Sequence, residues 1–357
     1  MSFLKHIKHS VQQLEAYSVK SKPLSPDLIK LNQNENPFDL PEDLKRELTE
    51  EFMRLPWNRY PDVFPSQLIE SLSIDLNVPM ESIIAANGSN ELMYSILMAI
   101  VSKGTKVLIP VPTFFLYEKI VKVLEGELIE VPARSDLSFD VDAIIRTAQE
   151  QKPSLIILNS PNSPTGQILS LIDVERIMVG TDAIILVDEA YIEFADQPSV
   201  LSLLKKYDRL IILRTFSKAF SLAGLRIGYL IARPALCAVL LKPKIPFTVN
   251  NFSSAVAIKV MQRKDLISGR IQYVKQQKNI LYEELKTIDS VKVFSSQTNF
   301  LIFQVQKNSK ILFENLLSEN VLIRDVGSYP MLAQTLRVNA GTEAENRAFI
   351  AALKKHV

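Results

Sequence analysis

An α/β fold on a mostly parallel central sheet with helices on both faces, followed by a smaller α+β domain, is predicted by three features of the 357-residue sequence. Short runs of Val, Ile and Leu recur without apolar–polar alternation, the pattern of strands covered on both faces. Amphipathic stretches with helical spacing separate these runs. A proline-punctuated segment then ends the alternation, and the remainder reads as a long helix, strands and a capped final helix.

Residues 1–40 are polar and proline-punctuated, too few to fold alone, and are expected to pack with the small domain or a dimer partner. Residues 41–248 are assigned to the large domain. Leu68, Leu72 and Leu76 form a stripe after a Pro-Ser start, and Met93, Ile96, Leu97, Ile100 and Val101 form another. Strands are predicted at 106–111, 127–131, 154–159, 183–188, 210–215 and 227–232. The segment 242–251, with Pro243 and Pro246, reads as a linker to a small domain spanning 249–357. Within that domain strands are expected near VKVFSS, NFLIFQV and QTLRVNA. Thr342 and Glu345 have capping-box spacing ahead of a helix with Phe349, Ile350 and Leu353 inward and Lys354 and Lys355 in its last turn.

Composition narrows the chemistry. The 41 basic and 39 acidic side chains leave a net charge of +2, against a role in coating nucleic acid or anionic membrane. No apolar run approaches the ~20 residues of a membrane-spanning helix, and the N-terminus lacks a signal peptide's apolar stretch, so a cytoplasmic setting is expected. One cysteine, Cys237, removes an intrachain disulfide framework and a thiolate metal cluster. His6, His9 and His356 all lie at the chain ends, so a core histidine base or a multi-histidine metal site is hard to build. Buried proton transfer must then use Lys, Tyr, Asp or Glu.

Ligands of open α/β sheets bind at the carboxyl ends of strands. One strand ends in Asp188-Glu189-Ala190-Tyr191, the next in Thr215-Phe216-Ser217-Lys218 followed by a run reaching Arg226. An acid after five apolar residues needs a cationic partner, and a lysine partly buried nearby would have a lowered pKa and serve as nucleophile and proton shuttle. Asn87-Gly88-Ser89-Asn90 opens a helix and offers free N–H groups to an anion. Phe114 stands at another strand end, and Pro161-Asn162-Ser163-Pro164-Thr165-Gly166 forms a tight turn after a third. Neither GxGxxG after a strand nor GxxxxGK[ST] occurs. These strand and helix ends together supply an amine, an acid with a phenol, a flat aromatic, an amide or hydroxyl donor and an anion seat, which are the requirements of pyridoxal phosphate.

The succession Leu31-Asn32-Gln33-Asn34-Glu35-Asn36-Pro37, Arg59-Tyr60-Pro61-Asp62, Asn87–Glu91, Pro112-Thr113-Phe114, Pro161–Gly166, Val187–Tyr191, Arg214–Phe220 and Ala223–Gly228 resembles the fold-type I pyridoxal-phosphate aminotransferases, the histidinol-phosphate aminotransferase family in particular. The resemblance implies that Lys218 holds the cofactor covalently and later moves the substrate proton. It implies that Asp188 pairs with the ring nitrogen, Tyr191 with the ring's 3′-oxygen, and Phe114 with the ring face. Ser89, Asn90, Thr215, Ser217 and Arg226 would hold the phosphate, with Tyr60 arriving from the second subunit of a homodimer whose active site is composite. The family has Asn immediately before Pro-Thr-Gly; here Ser163 stands there and Asn162 precedes it, so one of the two supplies the 3′-oxygen contact. For substrate, the resemblance implies that Arg337 grips an α-carboxylate, that Arg324 and Tyr17 bind a substrate phosphate, and that Asn36 lies in the substrate site.

The implied reaction is transfer of an amino group between glutamate and imidazole-acetol phosphate, giving histidinol phosphate reversibly. An aromatic-amino-acid aminotransferase and a threonine-phosphate decarboxylase share most of these motifs and are the alternatives. A purely regulatory use of the fold would call for an appended DNA-binding domain, and at this length there is no room for one.

Overall fold

The computed structural model describes residues 2–15, 27–306 and 308–357. Its centre is a seven-stranded sheet of β1 (Ile83–Ala86), β2 (Lys106–Val111), β3 (Glu127–Pro132), β4 (Leu155–Asn159), β5 (Ile184–Asp188), β6 (Leu210–Thr215) and β7 (Gly228–Ala232), in the order β1-β7-β6-β5-β4-β2-β3. Strands β6, β5, β4, β2 and β3 pair in parallel, and β7 runs antiparallel to both its neighbours. Burial explains the run-like sequences: Ile156 and Leu158 of β4 enter one core layer, while Leu155 and Ile157 enter the other. The first layer holds Leu68 and Leu72 of helix Ser66–Leu76 and Val174 and Ile177 of helix Leu171–Gly180; the second holds Met93, Ile96 and Leu97 of helix Ser89–Ile100. Strand β3 differs. It forms the sheet edge, with only Val131 buried, and no strand among the described residues pairs with its outer side.

The small domain is an antiparallel sheet of β8 (Val291–Val293), β9 (Phe300–Val305), β10 (Arg324–Asp325) and β11 (Thr335–Asn339), ordered β10-β11-β9-β8. The final helix Glu343–His356 begins at a complete capping box between Thr342 and Glu345, with Phe349, Ile350 and Leu353 buried as its stripe requires. Residues Ile29–Lys30 pair in parallel with Val321–Leu322, and Leu31 enters the small-domain core. Helix Asn251–Gln262, beyond the proline-rich segment, packs Val256, Ala257 and Val260 into the large core. The crossing between cores runs instead along helix Lys264–Lys286, whose Ile267 joins the large core and whose Leu281 and Leu285 join the small one. No helix of the described residues is long and apolar enough to cross a membrane.

Candidate active site

Strand register sets the site. Asn159 of β4 lies opposite Asp188 of β5, while Thr215 of β6 and Ala86 of β1 both lie opposite Gly228 of β7, so their ends lie together along one edge of the sheet. Below this edge Glu189 accepts from Arg214 Nε (3.0 Å), Ser199 Oγ (2.7 Å) and the Val200 N–H (2.8 Å), which fixes the end of β5 to that of β6. Above it opens a cavity of about 390 Å³ between the two domains.

Asp188 forms part of its floor. The side chain is 6 % exposed; Oδ2 accepts from Tyr117 Oη at 2.7 Å and Oδ1 from the Ala190 N–H at 3.1 Å. Burial raises its pKa to about 6, and the Tyr117 hydrogen bond opposes that rise by favouring the carboxylate. Tyr191 stands three residues later. Its oxygen receives the Asn34 Nδ2–H at 2.9 Å, and its ring meets Phe300 edge-on. Burial raises the phenol pKa, against the lowering influence of Arg337, Asn34 and Ser163.

Lys218 faces these groups from the loop after β6. Its Nζ donates to Gln33 O at 2.8 Å and lies 6.0 Å from the Tyr191 ring centre. Burial above all, with Arg337 beside it, lowers its pKa to about 7 against a raising influence from Glu35. Near-neutral pH therefore leaves a large fraction as free amine, the form that acts as nucleophile or base. Thr215 and Ser217, both buried, bond through their hydroxyls at 3.0 Å. Arg226 donates to Ser217 Oγ at 3.2 Å beside the start of helix Ser89–Ile100, whose first residues Ser89 and Asn90 also line the cavity. A helix N-terminus, an arginine and two hydroxyls make an anion seat.

The seat leaves no room for side chains behind it. A Cβ on Gly88 would fall 2.6 Å from Arg226 Nη2, and one on Gly228 would fall 2.3 Å from the Ser89 nitrogen. Gly228→Ala should therefore push the helix start away, lowering stability by about 1–3 kcal/mol as overpacking does and weakening phosphate-dependent cofactor binding in equilibrium titration. Unchanged binding would show that the close approach does not shape the seat.

Two arginines form the opposite wall. Arg324 and Arg337 are direct cross-strand partners on β10 and β11, and both line the cavity. Like charges placed opposite each other are unfavourable unless an anion lies between them. Arg337 Nη1 donates to Ser163 Oγ at 3.2 Å and Nη2 to Asn32 O at 3.0 Å, with the guanidinium over the Phe300 ring.

Of the residues singled out from sequence, Ser89, Asn90, Phe114, Ser163, Asp188, Tyr191, Thr215, Ser217, Lys218, Arg226, Arg324 and Arg337 line this one cavity. Three do not. Asn162 is consumed by its own turn: Oδ1 accepts from Thr165 N and Oγ1, and Nδ2 donates to Pro112 O. Asn36 turns behind the lysine, its Nδ2 reaching the Lys218 and Ala219 carbonyls. Tyr60 is 83 % exposed and apart from the lining of this chain. Tyr17 lies outside the described residues. Sequence reading missed Tyr117, Asn159, Asn34 and Tyr329, all in the lining. Tyr117 had a signal: it follows Phe114 by three residues at the start of an amphipathic helix, so it can face the same strand end.

Residues 26–353 match the family model described as aminotransferase class I and II, and the chain belongs to that family. It is 46% identical over 345 residues to a histidinol-phosphate aminotransferase of Chlorobaculum parvum, covering 97% of this chain and 96% of the relative. Its fold is similar to that of a histidinol-phosphate aminotransferase from Sinorhizobium meliloti solved in complex with pyridoxal-5′-phosphate (TM-score 0.87, 22% identity, 97% of this chain and 96% of the other). An L-threonine-O-3-phosphate decarboxylase from Porphyromonas gingivalis has a similar fold as well (TM-score 0.81, 24% identity, 91% of this chain and 98% of the other).

Proposed function

We propose that this chain is a pyridoxal-phosphate-dependent aminotransferase interconverting histidinol phosphate plus 2-oxoglutarate and imidazole-acetol phosphate plus glutamate. The observation that carries the reading is the placement of Lys218, Asp188 and the Arg324–Arg337 pair around one cavity. The residues present fit the cofactor: the Ser89–Asn90 helix start, Thr215, Ser217 and Arg226 suit its phosphate, Asp188 its ring nitrogen, Tyr191 and Ser163 its 3′-oxygen, and Phe114 its ring face. Bound there, pyridoxal phosphate supplies an electron-withdrawing ring that stabilises the negative charge left at a substrate carbon when its proton departs.

The chain's own groups do the rest. Lys218 Nζ, held by the Gln33 carbonyl, takes the Cα proton and returns it. Asp188, kept ionised by Tyr117, holds a proton on the ring nitrogen. Arg337 orients the α-carboxylate of the amino donor, and Arg324 receives the substrate phosphate, as bidentate guanidinium groups do well. Tyr17 stands as a further candidate for the substrate side, whereas Asn36 is taken up by the Lys218 and Ala219 carbonyls.

A second copy of the chain completes the proposal. Trp57, Tyr60, Phe64, Ile245 and Phe247 are exposed, and Tyr60 stacks obliquely on Phe247 with ring centres 4.9 Å apart. An exposed aromatic patch of this kind suits a partner subunit, from which Tyr60 would reach the neighbouring site. A cytoplasmic location belongs to the same reading.

The test compares rates on histidinol phosphate, phenylalanine and threonine phosphate. The proposal predicts fastest amino transfer from histidinol phosphate. Arg324→Ala should lower kcat/KM for it roughly 10²-fold, the size of a lost charge-assisted contact, while changing phenylalanine turnover little. Faster turnover of phenylalanine, or release of CO2 from threonine phosphate, would replace it with one of the alternatives.

A further inference from the structure

We propose that Asn34 is a positioning residue for the phenol of Tyr191, held in place from the small domain by Asn299 and Asn339. The inference rests on the reading above only in taking Tyr191 to face the cofactor.

Asn34 is buried and adopts a left-handed backbone with φ of +55°, a conformation that Asn and Gly tolerate far better than other residues. Three hydrogen bonds converge on it. Its N–H donates to Asn339 Oδ1 at 3.1 Å, its carbonyl accepts from Asn299 Nδ2 at 3.0 Å, and its own Nδ2 donates to Tyr191 Oη at 2.9 Å. The adjoining strap is tied down as well, since Asn339 N–H donates to Leu31 O and Ala340 N–H to Asn299 O. One residue earlier, the Gln33 carbonyl accepts from Lys218. A single turn thus places a donor on the tyrosine and an acceptor on the lysine. Both are set by asparagines, Asn299 just before β9 and Asn339 at the end of β11, so docking of the small domain reaches the two reactive groups through residues 33 and 34.

A donor on the phenol oxygen favours the phenolate. A residue present only for its backbone conformation would leave the ionisation of Tyr191 untouched. The titratable and charged groups facing that phenol are Asp188 at the end of β5, Tyr117 of helix Leu116–Val123, Arg337 on β11 and Lys218 after β6.

The test uses the full chain without added cofactor, carrying tyrosine labelled with 13C at Cζ, with the Tyr191 resonance identified by Tyr191→Phe. Asn34→Gly keeps the backbone conformation and removes the amide. It should move the Tyr191 ionisation midpoint upward by about one pH unit, the order of a charge-assisted hydrogen bond. Asn339→Ala, which loosens Asn34, should move it the same way by less. A folded Asn34→Gly with an unmoved midpoint would overturn the assignment to Asn34, and an unmoved midpoint in Asn339→Ala would overturn the small-domain part. Should Asn34→Gly not fold, Asn34→Asp decides: a carboxylate in place of the donor should raise the midpoint further, and no rise would refute the proposal. Because no cofactor is present, a failure of pyridoxal phosphate to bind the wild-type chain would count against the proposed function and not against this result.

Discussion

Replacing Lys218 with Ala should lower amino transfer by roughly 10⁴-fold or more, since one group is asked both to carry the cofactor and to move the proton. Lys218→Arg should be nearly as inactive, because a guanidinium stays protonated where a neutral amine is needed. Without cofactor, Lys218 should lose its proton through about pH 7 inside the cavity. Stability without cofactor carries the same signature. The folded chain holds this proton less tightly than the unfolded one, so stability contributed here grows as pH rises from about 7 towards 10.5. Lys218→Met should therefore stabilise the cofactor-free protein at pH 6 more than at pH 10. Equal melting shifts at both pH values would show that the amine is not buried as described.

Asp188→Asn should cost about 10³-fold in turnover, the scale of losing a fixed charge in a water-poor site, and should weaken cofactor binding. Its effect on the cofactor-free chain runs the other way. Asp188 is raised to about 6 from its ordinary 3.8, so the stability it contributes is present below about pH 4 and lost as pH climbs through 6. At pH 8 the neutral amide should thus be more stable than wild type by up to roughly 3 kcal/mol, the free-energy equivalent of that displacement, and near pH 4 the two should melt alike. Tyr117→Phe, which removes the 2.7 Å donor from Asp188, should raise the carboxyl pKa further in the cofactor-free chain. An Asp188→Asn variant less stable than wild type at pH 8 would mean that the carboxylate already has compensation the structure does not contain.

Much of this site was legible in the sequence because its parts sit where regular elements stop. Asp188 directly follows an uninterrupted apolar run, Lys218 comes a few residues after another, and Ser89-Asn90 opens an amphipathic helix; strand ends can be located from pattern alone. Strand direction cannot. Gly228–Ala232 has the same continuous apolar character as its parallel neighbours, yet runs antiparallel, because burial on two faces looks alike in either sense. The exposed edge strand Glu127–Pro132 was read by its Leu and Ile residues, although which strand ends a sheet is a property of the assembly. Long-range partners were equally hidden: Asn34 meets Tyr191 across 157 residues and Asn299 across 265. Asn162 and Ser163 were interchangeable in sequence, and only the turn's internal hydrogen bonds separate them, leaving Ser163 to line the cavity and meet Arg337.

The central claim is that one amine, Lys218, carries the cofactor within reach of Asp188. Adding pyridoxal phosphate to the purified chain and recording the visible spectrum before and after borohydride, followed by peptide mass mapping, tests it directly. A visible band that borohydride abolishes, with one pyridoxal group then fixed on the peptide containing Lys218, is the predicted outcome. No band, or a label on any other lysine, would contradict it.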